Sequence, residues 1–294
     1  MKHPSRRTVL VSLSAAALLP ACSGGSDTGA VGPTPVRDPE PDPWVPDGSE
    51  DRSLFPWGVQ VGDATSDGAI LSVETTATSL TLVVMQGADG AWVEVDRQAG
   101  LTTDGEHLRV ELTDLSSDTA WSVVFYDDDT GARSAPARFR TALSGDDVDR
   151  VVVFGATACL GGNKPWGSLS QAAGERLDFF CLLGDTVYAD GSTTRSQYQW
   201  HWNEAMTTAG MRDLCGSTSL VATWDDHEVD NNWSWDEAGI DEKFATAVER
   251  FGNALPHRAG QGVAGIWRKL SWGGVIDLFV LECRAERVAS EGVY

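Results

Sequence analysis

Residues 220–228 have the sequence LVATWDDHE, in which a short apolar run leads directly into three carboxylates around one histidine. An apolar run of this length is typical of a β-strand that is covered on both faces, as in a parallel sheet. Neighbouring carboxylates repel one another unless a cation or strong solvation relieves the repulsion. The stretch therefore predicts a strand of an α/β sheet that ends in a metal or catalytic site.

Three further apolar runs, at 151–154, 179–183 and 275–281, have strand length and also end in polar side chains. Because ligands bind beyond the carboxyl ends of the strands in an open α/β sheet, we expect all four runs to deliver their polar residues to one edge. Helices are predicted between the runs, at 167–176, 194–214 and 241–253. This alternation indicates an α/β domain over residues 148–294.

The side chains that follow these four runs suit a site that binds metal and phosphate. Carboxylates, a thiolate and a phenolate are anionic ligands for divalent or trivalent metals, and an arginine fork can hold phosphoryl oxygens. The candidates are Cys159, Asp185, Tyr188, Asp226, His227, Asn232 and Arg284. Taken singly, several have ordinary explanations, since Cys159 fits a buried thiol, Tyr188 fits packing and Arg284 fits a surface salt bridge.

The sequence before this domain predicts an all-β unit over residues 53–142. Strand-like runs are separated by turn-forming residues and occur at 70–73, 80–84, 91–95, 107–112 and 121–125. Several of the runs alternate polar with apolar residues, as strands with one buried face do. The spacing favours a β-sandwich of the fibronectin or immunoglobulin type.

The first 22 residues resemble a bacterial export signal. Arg6 and Arg7 precede an apolar run, 9–19, that is too short to span a bilayer. Cys22 ends a lipobox-like sequence, which predicts a twin-arginine lipoprotein signal peptide over 1–22 with Cys22 as the lipidated residue; an uncleaved anchor or a plain signal peptide is the alternative. Residues 23–52 are rich in proline, aspartate, glycine and serine and predict a disordered linker. We expect an exported protein in the periplasm or on the cell surface, held at the membrane through its lipid anchor only.

Charge and cysteine content narrow the function further. The chain carries 43 acidic and 22 basic side chains, a net charge of -21, which disfavours a nucleic-acid-binding surface. The same negative charge repels a phosphate ester, so a site for such a substrate would need metal ions or arginine to attract it. The remaining cysteines have no zinc-type spacing, and their even number permits disulfides in an exported protein; they are Cys159, Cys181, Cys215 and Cys283. Cys181 lies in an apolar run and predicts a buried thiol.

The residues of the candidate site lie in segments that resemble the PhoD-type alkaline phosphatases and phosphodiesterases. WDDHEVDNNW at 224–233 is similar to the W-D-D-H-E-x-x-x-N motif of that family, and LGDTVY at 183–188 is similar to its G-D-x-x-Y. AC at 158–159 corresponds to the family's S-C step, and LECR at 281–284 corresponds to its L-D-T-R with the arginine retained. Residues 55–65 resemble the start of the family's N-terminal β domain, so the matches follow the family order.

The resemblance implies a metallophosphoesterase with a partial α/β/β/α sandwich and a centre of Fe³⁺ and Ca²⁺. By position, Cys159, Asp185 and Tyr188 would hold the iron, and Asp185 would bridge to the calcium. Asp226 and Asn232 would lie near the calcium or the phosphate. Arg284 would hold the substrate, and His227 would act as a general acid or an orienting group.

Together, these expectations describe an exported hydrolase of phosphomonoesters or phosphodiesters. The alternatives are a calcium- or phosphate-binding surface lipoprotein without catalysis, and an adhesive lipoprotein whose acidic clusters bind calcium. The PhoD-type family continues beyond its arginine motif with a second sheet and a late G-D-x-H motif, and none of the five histidines of this chain lies in such a context. We therefore expect a truncated chain that lacks a C-terminal half; both an active and an inactive isolated chain are compatible with the sequence. Completion by a second polypeptide and a degenerate, non-catalytic protein are the alternatives.

Overall fold

The computed structural model describes residues 7–11, 41–148, 150–162 and 164–287, so the predicted lipidation site Cys22 lies outside the described residues. The strands of the first part are β1 (Arg7–Val11), β2 (Val59–Gly62), β3 (Ala69–Glu74), β4 (Ser79–Ala88), β5 (Ala91–Thr102), β6 (His107–Leu112), β7 (Ala120–Asp127) and β8 (Ala137–Arg140). The second part contains β9 (Phe154–Thr157), α1 (Gly167–Ala173), β10 (Phe179–Leu183), α2 (Arg195–Met206), α3 (Ala209–Cys215), β11 (Ser219–Thr223), α4 (Ile240–Ala254), β12 (Arg268–Trp272) and β13 (Ile276–Val280). Among these helices, none is both long and apolar enough to cross a membrane.

Two layers of strands enclose the core of the first part. One layer is an antiparallel sheet in the order β5-β4-β7-β8, and the other contains the neighbouring strands β6, β3 and β2. Leu71 of β3, Leu82 of β4 and Phe125 of β7 are fully buried in one shared core. Each of the five predicted strand runs of this part lies within an observed strand. The classification as a fibronectin or immunoglobulin type stays a prediction.

The sheet that contains β6, β3 and β2 continues into the second part of the chain. Its full order is β6-β3-β2-β11-β10-β9, and β2 runs parallel to β11 where Gly62 lies opposite Leu220. A Cβ atom on Gly62 would lie 1.7 Å from the carbonyl oxygen of Pro256, so only glycine fits at this crossing. The boundary predicted between residues 142 and 148 thus separates two parts that share one sheet.

Strands β9, β10 and β11 are parallel, as the alternation with helices predicted. The runs 179–183 and 220–223 lie in β10 and β11, and these strands are largely buried. The predicted strand at 151–154 is wrong, because the observed strand begins at Phe154 and ends at Thr157. β9 occupies the edge of the sheet and pairs with β10 on one side, so Phe154 remains 39% exposed. Its apolar sequence therefore does not reflect cover on both faces.

The fourth predicted strand, 275–281, does not join the same sheet as the other three. Its observed counterpart β13 pairs antiparallel with β12 and parallel with β1, in a separate three-stranded sheet. A tight turn between β12 and β13 explains the difference, since an antiparallel hairpin needs no crossover helix. Trp272 of β12 stacks on Phe179 of β10 at a centroid distance of 3.9 Å. This contact brings the two sheets together.

The predicted helix at 194–214 is two helices in the structure. α2 begins after Thr194, whose hydroxyl and the side chain of Gln197 form a reciprocal capping box. α3 has its own cap, since Thr208 lies in an extended conformation and accepts a hydrogen bond from the Met211 N–H. The pair of threonines at 207–208 thus ends one helix and begins the next.

Candidate metal centre

The loops after β9, β10 and β11 lie side by side at one edge of the six-stranded sheet. Because these strands are parallel, their carboxyl ends deliver Cys159, Asp185 and Asp226 to the same region. Backbone hydrogen bonds join the first two loops: Cys159 N–H donates to Gly184 O at 3.1 Å, and Leu160 N–H donates to Asp185 O at 2.8 Å. The predicted convergence is therefore correct for three of the four strands.

Three of the predicted site residues adopt a left-handed backbone conformation. The φ angles are 57° at Cys159, 54° at Asp185 and 53° at Asn232. For a residue with a side chain, this conformation costs about 1–3 kcal/mol, and in folded proteins it is concentrated at functional sites and tight turns. Cysteine is an unusual residue in this region, whereas aspartate and asparagine tolerate it better. The same conformation occurs at Asp89 in an exposed turn, so it supports a functional site here only together with the contacts described below.

Glu228 fixes the positions of two of the loops. Its side chain is fully buried and accepts hydrogen bonds from the N–H groups of Asp185 at 3.1 Å, Thr186 at 2.6 Å and Asp225 at 3.1 Å. Burial raises the pKa of Glu228 to about 7, while these N–H groups oppose the rise. Sequence reasoning treated Glu228 only as a member of an acidic cluster. That Glu228 holds two loops together became apparent only from the structure.

A group of three side chains has the spacing of a metal site. One ligand atom each of Asp185, Asp226 and His227 lies within 4.8 Å of the others. Asp185 Oδ1 is buried and has no hydrogen-bond partner among the described residues, while the Cys159 thiol donates to Asp185 Oδ2 at 3.3 Å. A buried carboxylate oxygen without a partner is unfavourable unless a cation satisfies it. These residues therefore fit a bound metal ion.

The pKa values of the anionic candidates point to the same need for positive charge. Burial raises the pKa of Asp185, and burial together with Asp185 raises the pKa of the Cys159 thiol. The pKa of Tyr188 is also raised, by burial and by the charge of Asp185. Without a cation, this environment keeps the thiol and the phenol protonated. A bound cation reverses that preference and makes them anionic ligands.

Two neighbours hold the ring of His227. Its Nδ1 lies 2.8 Å and 2.9 Å from the two carboxylate oxygens of Asp190, and the Tyr188 ring stacks on it at a centroid distance of 4.0 Å. Burial lowers the pKa of His227, but Asp190 and the nearby carboxylates outweigh burial and raise it overall. Sequence reasoning missed Asp190, although its position two residues after Tyr188 at the same strand end was an available signal.

Arg284 reaches the site although β13 belongs to another sheet. Its guanidinium forms ion pairs with Asp225 and with Asp226, the second at 3.2 Å. Glu282 holds the turn, because its Oε2 accepts from the N–H of Arg284 at 2.8 Å and from Trp224 Nε1 at 3.1 Å. In this arrangement, the arginine balances the charge of two site carboxylates.

Asn232 lies beside Asp226 and completes the predicted set. Its backbone N–H donates to Asp226 Oδ2 at 2.5 Å, and its exposed side-chain amide donates to Asn231 Oδ1 at 3.3 Å. All seven predicted site residues are thus linked by contacts into one cluster. Of the other cysteines, Cys181 and Cys215 are buried, the first as predicted.

Residues 151–292 match the PhoD-like phosphatase family. This part of the chain belongs to the PhoD-like phosphatase family. A solved structure of PhoD has a similar fold, with a TM-score of 0.70 at 18% sequence identity over 83% of this chain. The chain spans about half, 54%, of the length of that PhoD structure. The shared architecture is β-rich α/β.

Two smaller solved structures are similar to about a third of this chain. The FN5 domain of Drosophila Lar matches 33% of this chain and 97% of its own length, at 20% identity and a TM-score of 0.24. A myokine structure matches 32% of this chain and 98% of its own length, at 16% identity and a TM-score of 0.23. A comparison with curated proteins found no match to this chain in sequence.

Proposed function

We propose that this chain is a metal-dependent phosphoesterase that hydrolyses phosphomonoesters or phosphodiesters. The observation that carries the proposal is the approach of Asp185 and Asp226, whose carboxylates would hold metal, to His227: one atom of each of the three side chains lies within 4.8 Å of the others. Cys159 contacts this group through Asp185, and Arg284 contacts it through Asp226. Acidic ligands beside an arginine at the ends of parallel strands suit a metal ion and a phosphoryl group together.

The donor set fits two metal ions of different character. The thiol of Cys159, the phenol of Tyr188 and the carboxylate of Asp185 would hold Fe³⁺, and Asp185 with Asp226 would hold Ca²⁺, which prefers oxygen ligands. A bound pair of this kind supplies Lewis acidity and a nucleophile stronger than neutral water. Asn232 would bind the calcium or a phosphoryl oxygen.

Two side chains of the protein then act on the ester itself. Arg284 binds non-bridging phosphoryl oxygens once the charges of Asp225 and Asp226 are shared with a cation. Asp190 occupies Nδ1 of His227, so Nε2 is the ring nitrogen that donates a proton to the oxygen of the leaving alcohol.

Hydrolysis of bis-p-nitrophenyl phosphate tests the proposal. Asp185→Asn and Asp226→Asn each remove a metal-ligating charge, so we expect at least a hundredfold loss of kcat/KM together with loss of bound iron or calcium. Asp89→Asn is the matched control, because Asp89 lies in an exposed turn with a φ of 49° that asparagine also adopts. Unchanged hydrolysis in both site variants would contradict the mechanism. Metal binding by the wild-type chain without any hydrolysis would instead favour the calcium- or phosphate-binding lipoprotein.

Export and lipidation belong to the same proposal. Arg6, Arg7 and Cys22 occur in the order of a twin-arginine lipoprotein signal, which supports a mature protein anchored by a lipid on Cys22 outside the cytoplasm. Mass spectrometry of the protein from a membrane fraction tests this, with a diacylglyceryl mass on Cys22 as the expected result. A mature protein of unmodified mass, or one released into the medium, would contradict it.

A further inference from the structure

Arg284 comes to the candidate metal centre from a different sheet than the metal-ligating side chains. It follows β13 of the three-stranded sheet, whereas Cys159, Asp185 and Asp226 follow strands of the six-stranded sheet. Among the described strands, β13 pairs with β1 and β12 and with no strand of the larger sheet. The position of the guanidinium relative to the site carboxylates therefore depends on contacts between loops.

Two hydrogen bonds join the end of β11 to the loop that follows β13. The hydroxyl of Thr223 donates to the carbonyl of Leu281 at 2.9 Å, and Trp224 Nε1 donates to Glu282 Oε2 at 3.1 Å. Both donors directly precede the two aspartates at 225–226. The segment that carries two carboxylates of the site thus also holds the loop that carries the arginine.

A single oxygen of Glu282 connects the indole to the backbone of the arginine loop. Besides the bond from Trp224, Oε2 accepts from the N–H of Arg284 at 2.8 Å and from the N–H of Ala285 at 2.9 Å. Glu282 is 5% exposed, and its Oε1 is buried without a hydrogen-bond partner among the described residues. The attachment of this loop through Glu282 therefore depends on Oε2 alone.

The indole of Trp224 gives this attachment a rigid origin. Its side chain is fully buried, and its ring contacts Phe244 and Phe251 of α4 at centroid distances of 5.5 Å and 5.4 Å. A side chain packed at this density stays in one rotamer, so its N–H is a donor at a fixed place. Arg284 forms its ion pairs with the two site aspartates from the loop that this donor holds.

We propose that Glu282 and Trp224 are positioning residues that set the place of the Arg284 guanidinium at the site. They act on the ester only through the arginine, so the inference rests on the proposed phosphoesterase function. An arginine fork binds phosphoryl oxygens bidentately only when its plane and its distance match them. Without the bond between the indole and the carboxylate, the loop loses its attachment to β11 at Glu282, and the guanidinium becomes more exposed to solvent.

The rate at which phenylglyoxal modifies Arg284, measured by peptide mass spectrometry, tests the position of the guanidinium without requiring turnover. The side chain of Arg284 is 12% exposed, so we expect slow modification in the wild-type chain. Glu282→Leu removes the acceptor, and Trp224→Phe removes the donor but keeps an aromatic ring. Each should raise the rate about tenfold, as expected for the loss of one hydrogen bond to a charged group. Glu282→Gln, which keeps an acceptor oxygen, should raise it less, and the double variant should not exceed Glu282→Leu.

Trp57→Phe is the matched control, because Trp57 is also a buried indole that donates one hydrogen bond, to Asn203 Oδ1 at 2.8 Å. This variant should lower the free energy of unfolding and leave the modification of Arg284 unchanged. Hydrolysis of bis-p-nitrophenyl phosphate adds a second readout. Glu282→Leu and Trp224→Phe should each raise KM about tenfold, with a smaller change in kcat and with bound iron and calcium unchanged.

The outcomes separate this inference from the proposed function. Faster modification of Arg284 in both variants, when the wild type hydrolyses no ester, would contradict the enzyme and support the positioning pair. An active wild type whose Arg284 reacts at the same rate as in both variants would overturn the pair and keep the enzyme. Equal acceleration in Trp57→Phe would also overturn the pair, because lost stability alone would then explain the change. Unchanged rates in an inactive protein overturn both proposals.

Discussion

The surroundings of His227 determine which of its nitrogens can meet the substrate. Asp190 accepts from Nδ1 through both of its carboxylate oxygens, at 2.8 Å and 2.9 Å, and Tyr188 covers one face of the ring. A histidine held in this way presents Nε2 in a defined orientation, as in other pairs of histidine with a carboxylate. Asp190 is therefore a positioning residue, which acts on the ester only through His227.

Replacing Asp190 by asparagine should reduce catalysis most for esters whose leaving group needs a proton. Asparagine can accept only one hydrogen bond in place of the two and carries no charge to favour the imidazolium, so proton donation weakens. We expect kcat for phenyl phosphate to fall about tenfold more than kcat for p-nitrophenyl phosphate, whose leaving group is stable as an anion. Asp89→Asn serves as the control. An equal loss on both substrates would indicate that Asp190 has a structural role only.

The sequence predicted the side chains that bind metal or substrate better than the residues that hold those side chains in place. Asp185 and Asp226 were predictable because each follows an apolar run of strand length. Asp190 and Glu228 were not predictable as partners, because their hydrogen bonds join loops that lie 37 and 43 residues apart in the chain. Local pattern identifies which side chains can bind metal, whereas the residues that hold them in place emerge only from the packing of separate loops.

At the scale of elements, two strands show where apolar pattern fails. The run 151–154 is apolar although Val151 is 49% and Phe154 is 39% exposed, and the strand itself begins only at Phe154 and lies at an open edge. The run 275–281 is a true strand, β13, but a hairpin with β12 places it in a second sheet. An apolar pattern indicates neither certain burial nor the identity of the partner strand, so sheet membership could not be deduced from it.

Two titratable residues, Glu74 of β3 and His107 of β6, lie opposite one another where the sheet packs against α2 and α4. Burial raises the pKa of Glu74 to about 7, and burial lowers the pKa of His107 to about 4. Gln199 of α2 donates to Glu74 Oε1 at 2.8 Å, and the carbonyl of Asn253 in α4 accepts from Ser72 of β3 at 2.5 Å. Both residues are therefore neutral in the folded protein between about pH 4 and 7, where the sandwich meets the helices.

These two residues should have opposite effects on stability between pH 4 and 7. The folded state binds more protons than the unfolded state at Glu74, so its contribution is lost as pH rises from 4.5 through about 7. The unfolded state binds more protons at His107, so stability rises with pH from about 4 through 6.5. In Glu74→Gln only the second effect remains. We expect its free energy of unfolding to rise by about 2 kcal/mol more than that of the wild type over this range, after allowing for the partly solvated carboxyl.

Urea unfolding at pH 4.5 and pH 7 measures this difference, in metal-free buffer so that the candidate metal centre contributes equally to both proteins. The exposed Glu175→Gln variant is the control and should follow the wild-type pH dependence. His107→Gln should show the reverse trend to Glu74→Gln. If the free energy of unfolding changes with pH in the same way in the wild type, Glu74→Gln and His107→Gln, then Glu74 and His107 are not both neutral in the folded protein.

At the scale of the whole molecule, the first and second parts are joined by more than a shared sheet. Asp63, directly after β2, is fully buried and forms a bidentate ion pair with Arg268 of β12, at 2.5 Å to Nε and 2.8 Å to Nη2. The same carboxylate accepts from the N–H of Arg258 at 2.6 Å. One side chain thus connects the six-stranded sheet to the three-stranded sheet. The protein should unfold as one cooperative unit and not as two domains.

Asp63→Asn tests this coupling. Asparagine preserves the shape of the side chain but leaves Arg268, which is 5% exposed, without the charge that compensates its burial. Removing one partner of a buried ion pair costs about 3–5 kcal/mol, far more than the pair is worth in net stability, because the other charge remains desolvated. We expect a loss of that size in urea unfolding followed by tryptophan fluorescence, with Asp89→Asn unchanged. Since tryptophans lie in both parts, a single transition in the wild type that separates into two in the variant would confirm that Asp63 transmits stability between them. A loss below about 1 kcal/mol would contradict the coupling, because solvent would then stabilise the Arg268 charge about as well as the Asp63 carboxylate does.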